Sequence, residues 1–284
     1  MLNKGDKVAL VCCSNGLSKE SKADIERLRD ELYKMGLSVI FSGHIFEKTP
    51  YFSGSEKERA KALMKFYADD SIKAIFDISG GDISNEILPY LEFEVIAKAK
   101  KKFFGYSDLT TVINAIYKMT GQESVLYQVK NLILSWGEVQ RKDFYNGLFN
   151  NSNELWDFSY KFIQGDKLEG IVVGGNIRCL LKLAGTNYWP DMTGKVLLLE
   201  SYGGGLPQMV TYLSQLKKMG VFDEISGLLL GTFTHIEREK HTADIIELVK
   251  KYVNEDMPIV KSNNIGHGHD SKAVAIGRNI SLIK

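Results

Sequence analysis

The first 120 residues alternate short apolar runs with amphipathic segments, and this alternation constrains the fold more than any other feature. The runs "KVALVCCS", "LSVIFSG", "IKAIFDISGG" and "KKFFGYS" have the length of buried strands, and segments such as "SKADIERLRDELYKMG" have helical spacing. Strands that alternate with helices predict a parallel sheet covered on both faces. We therefore expect a Rossmann-like α/β domain over residues 1–135.

A different pattern follows residue 135. Residues 136–165 are polar and aromatic with Asn and Gly turn signals, which predicts a connecting segment. Residues 166–284 contain several short apolar runs, with two helical segments between them, "MVTYLSQLKKMG" and "TADIIELVKKYVNE". This pattern predicts a smaller, strand-rich C-terminal α/β domain.

Charge and cysteine content narrow the class of protein. The chain has 284 residues, of which 36 are basic and 35 acidic, so its net charge is +1. This balance gives no electrostatic reason to expect nucleic acid or an anionic membrane as a partner. Cys12 and Cys13 lie in an apolar run, so we expect them in the core. No apolar run is long enough for a membrane span or a signal peptide, so a cytoplasmic location is the default expectation.

Ser107 lies where a predicted strand meets a predicted helix. In parallel sheets, sites form beyond the carboxyl ends of the strands, where Gly80, Gly81 and Ser107 fall. A hydroxyl at a helix start is well placed for nucleophilic attack, because the unpaired N–H groups there stabilise an oxyanion. The alternative is that Ser107 or Asp108 caps the helix. The local sequence lacks the second glycine of the hydrolase pattern G-x-S-x-G, so both interpretations stay open.

Two histidines lie in one glycine-rich loop near the C-terminus. His267 and His269 alternate with glycines in "NIGHGHD", a setting that lets the backbone approach other groups closely. Three interpretations are open: a catalytic histidine, a metal site formed with Asp270, or an ordinary polar loop. The spacing does not choose between the two histidines.

Glu200 ends the apolar run "KVLLLE", immediately before "SYGGG". A carboxylate at the end of a buried strand is costly unless it has a partner, so Glu200 is a candidate functional residue. The glycines that follow lack both the G-x-G-x-x-G pattern and the lysine of a phosphate-binding loop.

Five segments together resemble one known family. "SGGDISNEILPYL", "FFGYSDLT", "GIVVGGN", "GTNYWPDMTGKVLLLES" and "NIGHGH" have the order and spacing of the LD-carboxypeptidase family of serine peptidases. The first segment looks closer to the branch of microcin C immunity peptidases. The resemblance spans nearly the whole chain. It implies an α/β N-terminal domain and a smaller C-terminal domain, with a metal-free and cofactor-free Ser-Glu-His triad between them.

The resemblance also implies roles for individual residues. Ser107 would be the nucleophile, Glu200 the acidic member and His267, rather than His269, the base. The backbone N–H groups of Gly81 and Asp108 would form the oxyanion hole. The residues implied in substrate binding are Asn176, Gly80 and Tyr106. Members of the family cut a terminal amide bond in small peptides or peptidyl-nucleotides, and many are homodimers.

The chain departs from the family pattern at three places. Ser201 stands where an acidic residue is common, "LPQMVTYL" lacks a common arginine, and Tyr127-Gln128-Val129 replaces a Tyr-Gly-Pro-like element. These departures leave open whether the substrate is a muropeptide or a compound of the microcin C type. They also motivate an alternative, a non-catalytic protein that binds a ligand in the same cleft between the domains.

Overall fold

The computed structural model describes residues 1–284 and contains two six-stranded sheets with helices around them. The strands are β1 (Lys7–Val11), β2 (Ser38–Phe41), β3 (Ile72–Asp77), β4 (Lys102–Gly105), β5 (Ser124–Leu126), β6 (Lys161–Gln164), β7 (Lys167–Asn176), β8 (Val196–Ser201), β9 (Gly227–Phe233), β10 (Ile259–Lys261), β11 (Val274–Ile276) and β12 (Asn279–Ile283). The α-helices are α1 (Lys22–Lys34), α2 (Glu56–Ala68), α3 (Phe93–Ala99), α4 (Thr110–Thr120), α5 (Gly137–Phe149), α6 (Ile177–Leu181), α7 (Leu206–Lys218), α8 (Val221–Glu224), α9 (Thr234–Arg238) and α10 (Thr242–Lys250). Short 3₁₀ helices cover Lys19–Ser21, Ser84–Tyr90, Ser107–Leu109 and Val129–Ile133.

The first sheet confirms the predicted parallel α/β architecture. Its strand order is β11-β5-β4-β3-β1-β2, and every pair is parallel except β11 with β5. The apolar runs form the strands because helices cover both faces and remove the side chains from water. The helical spacing of α1 is confirmed as well, since Ile25, Leu28 and Leu32 form its buried face.

The second sheet has a parallel centre and antiparallel edges. Its order is β12-β7-β8-β9-β10-β6, with β12 and β6 antiparallel to their neighbours. The fold is therefore two α/β domains, as predicted. The carboxyl end of β8 and the loop after β10 line cavities together with residues that follow β3, β4 and β5 of the first sheet.

The structure bears on two further predictions, the connecting segment 136–165 and the burial of Cys12 and Cys13. The polar segment 136–165 contains a helix, α5, and a strand, β6. Helix α5 buries Phe144 and Leu148 against the first domain. Cys12 and Cys13 are free and buried, which confirms their place in the core. None of the helices has both the length and the apolar character that crossing a membrane requires.

The chain returns to the first sheet near its end. Strand β10 belongs to the second sheet, whereas β11, which begins thirteen residues after β10 ends, pairs antiparallel with β5 of the first. The loop between them, residues 262–273, contains both histidines of the glycine-rich motif. This loop is therefore anchored at one end in each sheet.

Candidate active site

A cavity of about 380 Å³ lies where the carboxyl ends of strands from both sheets meet. Ser107, His267, Tyr106 and the glycine pair after β3 all line it. Its other lining residues are Leu17, Ser21, Asp24, Ile25, Gln128, Lys130, Asn131, Ile133, Leu134, Tyr202, Gly266, Gly268 and His269. This volume suits a small peptide or nucleotide-sized ligand.

Ser107 occupies a strained turn between β4 and α4. Its φ is 55°, in the left-handed region that residues other than glycine rarely adopt. Gly105, which precedes the turn, leaves no room for a side chain, since an added Cβ would lie 2.7 Å from Leu109 Cβ. The Ser107 hydroxyl makes no hydrogen bond within the protein, and no side-chain cap occurs at the start of this 3₁₀ helix. The capping interpretation of Ser107 therefore finds no support in the structure.

Asp108 fixes the turn that carries Ser107. Its carboxylate is fully buried and accepts hydrogen bonds from Ser14 Oγ at 2.6 Å, Ser84 N at 2.8 Å and Lys182 Nζ at 2.5 Å. Burial raises the pKa of the Asp108 carboxyl, but the Lys182 ammonium and the hydrogen-bond donors outweigh burial and hold the pKa below its usual value. The side chain thus braces the turn against both domains, because Lys182 belongs to the segment after α6.

Glu200 and His267 form a buried hydrogen-bonded pair. The distance from His267 Nδ1 to Glu200 Oε2 is 2.6 Å, and the two side chains are 5% and 1% exposed. Two glycines allow this approach: an added Cβ would lie 3.2 Å from Glu200 Oε2 at Gly266 and 3.0 Å from Glu200 Cβ at Gly231. Because Nδ1 faces a carboxylate, its proton is held there and Nε2 is left as the acceptor.

The His267 ring is enclosed by two tyrosines. Its centroid lies 4.9 Å from that of Tyr106 and 5.0 Å from that of Tyr202. Its Nε2 atom is shielded from solvent and has no hydrogen-bond partner. An unpartnered buried acceptor is costly, so its persistence at a cavity wall is typical of a functional site. A histidine held in this way can accept a proton at Nε2.

The Gly80-Gly81 turn follows β3, the neighbour of β4 in the first sheet, and lines the same cavity as Ser107. Gly81 has a φ of 126°, and its N–H donates to no acceptor in the protein. A Cβ at this position would lie 2.2 Å from the Asn15 side chain, so only glycine fits. Arg178 and Lys182 hold the turn from the second domain, since Arg178 pairs with Asp82 and donates to Gly81 O at 3.2 Å. The free N–H of Gly81 is thus held at the cavity wall.

The other predicted site residues have different surroundings. Asn176 is buried, its side chain accepts a hydrogen bond from Cys179 N at the start of α6, and it is not among the cavity-lining residues. His269 lines the cavity with its Nδ1 2.8 Å from Ser135 Oγ. No group of three His, Cys, Asp or Glu side chains is arranged to hold a metal ion.

Sequence reasoning missed several cavity residues. Tyr202 and Lys130 follow strand ends in short segments that carry no periodic signal. The bracing role of the Asp108 side chain depends on Lys182, 74 residues away. Gln128, one of the departures from the family pattern, caps the 3₁₀ helix that carries Lys130 by accepting from its backbone N–H at 3.2 Å. Ser201, another departure, donates to Gly203 O at 2.7 Å.

Comparison with known proteins places the chain in a family. Residues 8–127 match the LD-carboxypeptidase N-terminal domain, and residues 169–282 match the LD-carboxypeptidase C-terminal domain. The chain is 28% identical to a probable murein peptide carboxypeptidase of Bacillus subtilis, over 99% of this chain and 90% of that protein. It is 24% identical to the microcin C7 self-immunity protein MccF of Escherichia coli, over 98% and 90%.

A solved structure of MccF in complex with glutamyl sulfamoyl guanosine has the same fold, with a TM-score of 0.86 and 21% identity over 100% of this chain and 97% of that one. The two domain matches follow each other in the family's order, and the relatives span almost the whole chain. Both findings agree with the two-domain structure. The chain belongs to the LD-carboxypeptidase family of serine peptidases.

Proposed function

We propose that the protein is a serine carboxypeptidase or amidase that uses Ser107, His267 and Glu200 to cut the amide bond before a terminal group. One observation carries the proposal: His267 Nδ1 is bound to Glu200, while Nε2 is unpartnered in a wall of the cavity that also holds the free Ser107 hydroxyl. Nucleophile, base and orienting carboxylate are the three parts that serine catalysis needs.

The reaction follows from these positions. Ser107 Oγ attacks the scissile carbonyl carbon while its proton moves to His267 Nε2. The carbonyl oxygen becomes negative and accepts hydrogen bonds from the N–H groups of Gly81 and Asp108. The C–N bond then breaks as His267 returns the proton to the leaving nitrogen. Water, deprotonated by the same histidine, hydrolyses the acyl-serine ester. Glu200 keeps His267 in one tautomer and stabilises its imidazolium form.

The surroundings of the triad explain why it is pre-organised. Asp108 and its partners fix the Ser107 turn, so little conformational entropy is lost when the nucleophile is positioned for attack. Gly80 and Tyr106 line the same cavity, and we assign them to substrate binding on that basis. No step needs a metal or an organic cofactor.

The substrate is a muropeptide or a peptidyl-nucleotide of the microcin C type. Relatives of both kinds cover nearly the whole chain at similar identity, so the comparisons do not choose between these substrates. We expect a comparison of muropeptide tetrapeptides with aminoacyl sulfamoyl adenosines to show a kcat/KM at least tenfold higher for one class. Hydrolysis of neither class would contradict the proposed substrates.

The direct test is the Ser107→Ala variant. We expect its hydrolysis rate to fall by several orders of magnitude, because removing a triad member leaves only the contribution of the remaining site. A serine-reactive phosphonate should add its mass to the wild-type protein and not to Ser107→Ala. Ser214→Ala is a matched control, since Ser214 lies on α7 beside Tyr252. Near-full activity or labelling in Ser107→Ala would overturn the triad.

We also propose that the protein is a cytoplasmic homodimer. Its three cysteines are all free and buried, as expected for a reducing compartment. Light scattering should give twice the mass of the chain, and cell fractionation should recover the protein with cytoplasmic markers. A monomer at micromolar concentration, or recovery in another fraction, would contradict the respective proposal.

A further inference from the structure

Lys130 brings a positive charge into the cavity. It lies in the 3₁₀ helix Val129–Ile133, shortly after the end of β5, and the residue is half-buried. It is the only lysine or arginine among the residues that line the cavity with Ser107 and His267. Any negatively charged group that enters the cavity therefore has one lysine ammonium available to it.

The Lys130 ammonium has no partner in the protein. Its Nζ donates no hydrogen bond, and no carboxylate oxygen lies within 4.0 Å of it. Other mostly buried lysines show the usual arrangement. Lys101 donates to three backbone carbonyls, Lys182 binds Asp108 at 2.5 Å, Lys261 binds Glu237 at 3.0 Å and Lys272 binds Asp143 at 2.6 Å. The Lys130 Nζ atom differs from these four because it stays open to the cavity, where a group that enters can reach it.

The acidic groups nearest to Lys130 are engaged elsewhere. Asp77 accepts from the backbone N–H groups of Cys13 and Ser79, both at 2.8 Å, and Asp24 pairs with Arg27 at 3.0 Å. Burial lowers the pKa of the Lys130 ammonium, and the nearby Cys12, Asp77 and Asp24 offset only part of this effect. Asp24 lines the same cavity but is paired with Arg27, so no carboxylate of the protein is paired with the Lys130 ammonium there.

We propose that Lys130 is a specificity-determining residue whose ammonium binds a carboxylate of the substrate. The proposal rests on the proposed function and deepens it, because it assigns a negative charge to the substrate class. A carboxypeptidase substrate carries a free carboxylate on the residue that leaves. An acidic side chain on the acyl part would present the same group. Either carboxylate would supply the partner that Lys130 lacks.

Binding measurements in the Ser107→Ala background test the proposal without turnover. One ligand pair is acetyl-L-lysyl-D-alanine and its C-terminal carboxamide, which differ only in the terminal carboxylate. The second pair is glutamyl and glutaminyl sulfamoyl adenosine, which differ only in the acyl side chain. Each Kd is measured by calorimetry with Lys130 intact, with Lys130→Met and with Lys130→Arg. Lys34→Met is the matched control, since the Lys34 side chain is 70% exposed on α1.

We expect Lys130→Met to weaken binding of the carboxylate ligand by roughly 10- to 150-fold in at least one pair, the value of a hydrogen bond to a charged group. The neutral ligand of that pair should change by less than about threefold, and Lys130→Arg should retain most of the affinity. The pair that shows the loss identifies the source of the carboxylate. Thermal melting should show that Lys130→Met is folded, with a Tm equal to or above that of its parent.

Two results would overturn the proposal: equal effects of Lys130→Met on the acidic and neutral ligands of both pairs, or no preference for a carboxylate when Lys130 is intact. Because these readouts use Ser107→Ala, they do not depend on catalysis. Hydrolysis by the wild-type protein decides the proposed function separately. If the wild-type enzyme were active but Lys130→Met changed the Kd of the acidic and neutral ligands of both pairs equally, this proposal alone would be refuted.

Discussion

Replacing Glu200 by Gln separates a catalytic role of this carboxylate from a structural one. The change keeps the shape of the side chain and removes its charge. When His267 becomes an imidazolium, a carboxylate with its charge centre about 4 Å away contributes about 4 kcal/mol at an effective dielectric constant near 20. That energy corresponds to a rate factor of about 10³. The amide can also hold the imidazole in the wrong tautomer, so we expect kcat to fall by roughly 10³ to 10⁴.

The stability of the same variant should move in the other direction or stay constant. Glu200 is 1% exposed, and its Oε1 atom has no hydrogen-bond partner, so the native state bears the cost of a poorly compensated buried charge. We expect the free energy of unfolding of Glu200→Gln to match that of the wild type within about 1 kcal/mol or to exceed it. Urea unfolding and steady-state hydrolysis measure the two quantities. Glu123→Gln, which removes a carboxylate paired with Arg278, serves as the control.

A catalytic role of Glu200 would be refuted if Glu200→Gln lost several kcal/mol of stability and its remaining activity simply followed the folded fraction. Glu200 would then hold the second sheet together, and its hydrogen bond to His267 would be incidental. Activity within tenfold of the wild type would refute it as well.

Two further predictions concern the loop histidines and the loss of folding stability at acidic pH. His267→Ala should abolish turnover whereas His269→Ala should lower it modestly, because only His267 is bound to Glu200. Steady-state kinetics measure both effects, and the reverse order would make His269 the base. Asp108 has a pKa below its usual value of 3.8, so its contribution to stability is complete above that pH and is lost as the pH falls through the lowered pKa. Urea midpoints between about pH 5 and pH 2 should therefore fall more steeply for the wild type than for Asp108→Asn, and parallel curves would contradict this linkage.

The fold could be predicted from the sequence because its signals are local. Apolar runs of strand length alternate with helical spacing, and a parallel sheet is the arrangement that buries both. The antiparallel addition of β11 to the first sheet could not be predicted, since the run "AVAIG" has no feature that distinguishes its partner β5 from a strand of the second sheet. Pairing over such a distance depends on the tertiary structure.

The candidate site likewise contains residues that could be proposed from the sequence and residues that could not. A serine at a strand end, a glutamate that terminates a buried strand and a histidine between glycines each carry a local chemical signal, so Ser107, Glu200 and His267 could be proposed from sequence. From sequence, the choice of His267 over His269 depends on family resemblance and on the glycine at each side of His267, whereas the structure shows which ring reaches Glu200. Lys130 carries no such signal, because an unpartnered lysine is defined by what is absent around it in space.

The return of the chain to the first sheet has a consequence for biosynthesis. During translation the N-terminal sheet can assemble as far as β5, but its edge stays unpaired until residues 274–276 leave the ribosome. The histidine loop is tethered at both ends only at that moment. A nascent or prematurely terminated chain therefore has Ser107 without its fixed base, and its open β5 edge is free to pair with other chains. Hydrolytic competence and protection from aggregation should thus appear together, when β11 pairs with β5.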